Sequence, residues 1–157
     1  MRTIKKFGLV SLLALSACGG GSGGDDLKKF VGTWSATAGT SLTTCPGYDS
    51  VAQPLTGNAS WSRGVSSDLL AMTALSACPL MADVTNATAS AIPGQTCSQA
   101  DNTGATSTVT FTGYTFVVAN DGHTATENAS GSITLVVSGA SLVCSFSETG
   151  SYEKIGN

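Results

Sequence analysis

Ser107 to His123 reads STVTFTGYTFVVANDGH, and this stretch decides the fold class. From Ser107 to Val118 it is built of threonine, valine and aromatic residues, side chains that suit a pleated surface. Both faces of the run carry apolar groups. The following Asp121-Gly122 is a strong hairpin signal, because both residue types accept positive φ. SITLVV (Ser132–Val137) and SLVCSFSETGSYEKI (Ser141–Ile155) then flank Ser138-Gly139-Ala140 as a last hairpin.

Working back toward the start, the same chemistry recurs. GTWSATAGTSLTTC (Gly32–Cys45) places Trp34, Ala36 and Ala38 on one face and Thr33, Ser35 and Thr37 on the other. Gly39 marks a bulge or bend. TGNASWSRG (Thr56–Gly64) and SSDLLAMTAL (Ser66–Leu75) make a second hairpin. A helix over Asp68–Ala77 competes there, since Leu69, Leu70, Met72 and Leu75 also fit a helical face; strand is preferred. CPLMADVTNATASAI (Cys78–Ile92) folds back around Thr85-Asn86. Only Asp25 to Lys29, with aspartates at its positive end, reads as a helical turn.

About eight short strands joined by tight turns predict an all-β antiparallel meander closed into a small barrel, which removes exposed edges. A β-sandwich is the alternative. Antiparallel pairing of first strand with last would set Trp34 against the Tyr152 region and Cys45 against Cys144, with a bulge near Gly39 or Gly150. Cys45–Cys144 would then fasten the ring, and Cys78–Cys97 would close the loop after the Cys78–Ile92 hairpin. Three pairings of these four cysteines exist, and this is the preferred one.

Charged residues are 11% of the chain, too few for a disordered acidic tail. The first residues carry Arg2, Lys5 and Lys6, then an apolar run from Phe7 to Leu15. That is a secretory signal, too short to span a bilayer of about 20 helical residues. Beyond it, Lys28, Lys29, Arg63 and Lys154 face all ten acidic residues, a side-chain balance of −6. No basic patch exists, so nucleic acid is excluded as a partner.

Leu15-Ser16-Ala17-Cys18 resembles the lipobox of bacterial lipoproteins. The resemblance implies that Cys18 receives a diacylglyceryl group and becomes the first mature residue after residues 1–17 are removed. Gly19 stands where an aspartate, in many members of that family, means retention in the inner membrane. The outer membrane is therefore implied, with the domain on its periplasmic face or at the cell surface. Stable anchoring takes two or more acyl chains. Gly19 to Gly24 then makes a tether, residues 18–26 in all, whose six Gly/Ser residues reach roughly 13 Å at about 5–6 Å × √n. Residues 27–157 form one domain, expected to be monomeric.

FVGTW (Phe30–Trp34), preceded by a helical turn, resembles the opening Gly-x-Trp motif of lipocalins and related calycins. The resemblance implies a small barrel with Trp34 plugging one end and Gly32 in the motif's first position. The family's later motifs, among them an arginine near the last strand, are not evident.

Chemistry is sparse. His123 follows the Asp121-Gly122 turn with Glu127 four residues on, but no partnered nucleophile or GxSxG elbow accompanies it. No catalytic residue is assigned and an exposed turn histidine is the preferred reading. Asp49, Asp68, Asp83 and Asp101 are scattered singly, unlike a calcium loop, and no cysteine or histidine spacing suits zinc, so neither metal nor cofactor is expected. NASWS, NATAS and NASGS, at Asn58, Asn86 and Asn128, look like glycosylation sequons but read as recurring turn chemistry. Trp34, Phe111, Phe146 and Tyr152 are the candidates to line a ligand cavity; with Trp61, Tyr114 and Phe116 they could equally fill the interior. The function expected is a non-enzymatic binding module for a small apolar ligand, an envelope component or another protein. A structural envelope protein and a hydrolase using His123 are the alternatives.

Overall fold

The computed structural model describes residues 23–64, 69–72 and 79–157. In these, a helix α1 (Gly23–Phe30) leads into β1 (Gly32–Thr44), β2 (Val51–Pro54), β3 (Asn58–Arg63), β4 (Leu69–Met72) and β5 (Leu80–Thr85). There follow β6 (Thr88–Ala91), β7 (Thr96–Ala100), β8 (Thr106–Val118), β9 (Thr124–Val137) and β10 (Ala140–Gly156). The protein is all-β and antiparallel. Eight strands run β10-β9-β8-β6-β5-β4-β3-β1 in hydrogen-bonded order, and β10 returns to pair with β1, so the sheet closes into a ring.

The two remaining strands exist because β1 and β8 are long, 13 residues each. Within the ring, β3 covers only Gly32–Ser35 of β1, and β6 covers only Thr115–Val117 of β8. The upper halves would be left with bare backbone groups, which are costly to leave unpaired. β2 takes Thr40–Thr43 of β1, and β7 takes Thr106–Thr110 of β8. The ring therefore has a closed end, where Gly32, Val118 and Thr124 lie, and a split end flanked by β2 and β7.

At the split end Cys45 is bonded to Cys144 across a separation of 99 residues, the pairing expected. Cys97 is also disulfide-bonded; its expected partner, Cys78, lies outside the described residues. The β1–β10 register differs from expectation below the disulfide. Lys154, not Tyr152, opposes Trp34, and Tyr152 opposes Ala36. Irregularities fall between Ala36 and Ala38, beside Gly39 where a bulge is expected, and between Thr33 and Trp34. Gly39 serves another need: at φ 154°, an added Cβ would press on the Thr149 carbonyl and the Gly150 backbone. A side chain there would push β1 off β10.

Hairpins form where turn residues supply left-handed backbone. Ser138 (φ 50°) and Gly139 (φ 83°) make a two-residue loop, the geometry that matches strand twist. At the β8–β9 turn only Gly122 is left-handed, at φ 69°. Asp121 contributes instead through its carboxylate, which accepts from the His123 and Thr124 N–H groups at 2.8 and 3.0 Å. Those bonds hold its pKa below the usual value. Asn86 sits in the β5–β6 turn at φ 56°, as its turn chemistry predicts, and Asn58 opens β3. Asn128 is a correction: it lies in mid-β9, opposite Thr149 and Thr115. The helix weighed over Asp68–Ala77 is replaced at Leu69–Met72 by β4, which bonds to both β3 and β5. The rest of that span lies outside the described residues.

The closed end is the packed core. Leu27 and Phe30 of α1 are buried there with Trp34, Trp61, Phe116 and Val118. Trp34 donates from Nε1 to the Phe30 carbonyl at 2.8 Å and meets Phe116 edge-on at 5.3 Å. Lys154 Nζ stands 5.5 Å over the Trp34 ring and donates to the Lys29 carbonyl at 3.2 Å. These contacts tie α1 to β1 and to β10, so the helix is part of the core.

Candidate ligand cavity

Alternation along β8, β9 and β10 delivers a second set of side chains to the interior, nearer the split end. On β9, Ala125, Glu127 and Ala129 are buried while Thr124, Thr126 and Asn128 are exposed. On β10 the inward phase carries Phe146, Glu148 and Tyr152, and on β8 Phe111 and Tyr114. The β8 bulge between Phe111 and Gly113 lets both Phe111 and Tyr114 turn inward.

Between these side chains is a cavity of about 330 Å³, at the small end of ligand pockets of about 300–1,000 Å³. Its apolar wall includes Phe111, Phe146, Val109 and Ile133, with Met72 and Leu55 opposite. Phe111 meets Phe146 edge-on at 5.7 Å and Tyr114 edge-on at 6.1 Å. Thr56, Gly57 and Asn58, all exposed, frame the cavity where β1 passes from β2 to β3. Leu55 N–H donates to the Gly39 carbonyl, and Ala36 N–H to the Gly57 carbonyl, at 3.1 and 2.9 Å. That connection is therefore fixed at both ends.

Gly131 helps to keep the space shaped. A Cβ there would run into the Thr110 carbonyl oxygen and the Phe146 ring. The glycine thus lets β8 and β9 close up behind Phe146.

The polar side of the cavity is acidic. Glu127 is only 5% exposed and accepts a hydrogen bond from Tyr152 Oη. Tyr114 Oη donates to Met72 Sδ at 3.0 Å and lies near enough to Glu127 for the two groups to shift each other's titration. Glu148 Oε1 accepts from Ser41 Oγ at 2.8 Å. Burial raises the pKa of Glu127; the tyrosine bonds oppose that and the nearby Glu148 charge adds to it. Burial, then Glu127 itself, pushes both tyrosines up. None of the described residues lining the cavity is Lys, Arg or His.

Because the folded protein holds the Glu127 proton to higher pH than the unfolded chain does, its stabilising share is complete below about its ordinary value of 4.5. It is lost as pH rises through the raised folded value. Wild type is therefore expected to lose stability relative to Glu127→Gln as pH rises above about 4.5. Urea midpoints of the two proteins from that pH upward measure it, and parallel profiles would contradict it.

Of the four aromatics expected to line a cavity, Phe111, Phe146 and Tyr152 do so, whereas Trp34 lies in the closed-end core. Trp34 stands opposite Lys154, two residues beyond Tyr152 on β10, where it packs with Phe30 and Phe116. His123 is exposed in the β8–β9 turn at the closed end, and its carbonyl accepts from Lys154 N–H at 2.8 Å. Asp101 caps its own turn, accepting from Thr103 and Ala105 N–H at 2.8 and 2.9 Å; Asp68 lies outside the described residues. The residues that sequence reasoning missed are the acidic pair. One signal was there: Glu127 occupies the apolar phase of an alternating strand, between Ala125 and Ala129. The chain matches no protein-family model, no curated protein and no solved structure.

Proposed function

We propose that this protein is a lipid-anchored, non-enzymatic binding module of the outer membrane, holding a small apolar or amphiphilic ligand inside its strand ring. The observation that carries the reading is the cavity itself. Interiors normally pack to the density of organic crystals, yet here about 330 Å³ is left between largely apolar walls beside the buried aromatic cluster. The anchor rests on the lipobox-like Leu15-Ser16-Ala17-Cys18 and the Gly/Ser tether beyond it.

Each half has its own test. Neutral N-phenyl-1-naphthylamine is expected to gain fluorescence saturably with wild type. Ile133→Trp, which fills the cavity from β9, is expected to weaken that binding at least tenfold. No saturable signal, or equal binding by the variant, would remove the ligand reading. For the anchor, Cys18→Ser is expected to move the protein from the detergent phase to the aqueous phase. Unchanged partitioning would refute lipidation at Cys18.

A further inference from the structure

We propose that the ligand is a cationic amphiphile, an alkyl or aryl primary amine whose ammonium sits between Glu127 and Glu148. The inference rests on the ligand-binding reading above and adds the chemistry of the head group. Glu127 is buried on the inward phase of β9, and the donor it accepts from is the Tyr152 hydroxyl. Hydroxyl donors satisfy a carboxylate's lone pairs but leave its charge without a counter-ion, and a buried charge without one is costly. Glu148 adds a second negative charge close enough to be felt by Glu127, Tyr114 and Tyr152. With no Lys, Arg or His among the described lining residues, the site meets that cost by holding the Glu127 proton to higher pH, and a cation brought in from outside would relieve it.

An ammonium fits this vacancy of charge. It brings three donors and no acceptor, and Glu127 and Glu148 have acceptor capacity beyond their present bonds. The aromatic faces of Phe111, Phe146 and Tyr114 suit both a cation and the apolar body behind it. A carboxylate or phosphate head would instead meet two like charges. The mature chain's balance of −6 favours the approach of a cation in the same sense.

Calorimetric titration with octylamine, 1-octanol and octanoate, equal in chain length and different in head group, tests the proposal. Octylamine is expected to bind at least tenfold more tightly than 1-octanol, and octanoate more weakly than either. Glu127→Gln and Glu148→Gln are each expected to bring octylamine down toward 1-octanol. The second side chain is only partly buried, so this variant keeps the test available should the first fold poorly. Equal binding of amine and alcohol would overturn the head-group assignment while leaving the cavity as an apolar site. Amine preference that survives both substitutions would also overturn it, by placing the ammonium elsewhere. Failure of all three ligands would overturn the ligand reading itself.

Discussion

Replacing Cys45 and Cys144 together by alanine is expected to destabilise the protein by about 4 kcal/mol. The bridge closes a loop of 99 residues, and chain-entropy reasoning assigns about 4.7 kcal/mol to a loop of roughly 100 residues. Domains of this size are stable by only about 5–15 kcal/mol, so roughly a quarter to four-fifths of the margin is at stake. The position explains why the bond is needed. β1 and β10 are first and last in the ring, and their pairing must be found across nearly the whole domain. Thermal melts should show the midpoint falling by roughly 10–20 °C. A loss below about 1 kcal/mol would mean that the β1–β10 ladder closes the ring without help.

The second large effect is expected at Trp34. Trp34→Ala should cost about 3–5 kcal/mol, the range for truncating a fully buried large aromatic. It removes the edge contact with Phe116, the bond to the Phe30 carbonyl and the surface under Lys154 together. One of those contacts holds α1 directly and another seats Lys154, which bonds the Lys29 carbonyl, so loss should appear first as cleavage by trypsin at Lys28 or Lys29. Urea denaturation of the intact variant gives the magnitude. A change under about 1 kcal/mol, with α1 still protected, would show that the helix does not depend on this side chain.

The strands from Thr106 to Gly156 were legible because β-branched and aromatic runs alternate with turn pairs whose backbone geometry only a few residues accept. The closure was legible through Cys45 and Cys144, since antiparallel first and last strands must bring those two ends together. β2 and β7 were not. Val51-Ala52-Gln53-Pro54 and Thr96-Cys97-Ser98-Gln99-Ala100 carry no strong alternation. They pair because β1 and β8 outrun their neighbours, a demand that tertiary structure makes and local sequence does not announce. Asn128 misled for the converse reason: a residue that favours turns stays in a strand when β8 and β10 pair with it on both sides. The aromatic half of the cavity followed from counting large side chains. Its acidic half required knowing that Glu127 faces inward.

The cavity carries the functional reading, so its occupancy is the decisive observation. Isotope-labelled protein titrated with 1-octanol and followed by methyl and aromatic NMR resonances locates the ligand directly. Shifts at Val109, Phe111, Ile133 and Phe146 that saturate together with one dissociation constant are the predicted result. Shifts confined to the exposed valines of the β9–β10 hairpin, Val137 and Val143, or rising without saturation, would contradict it.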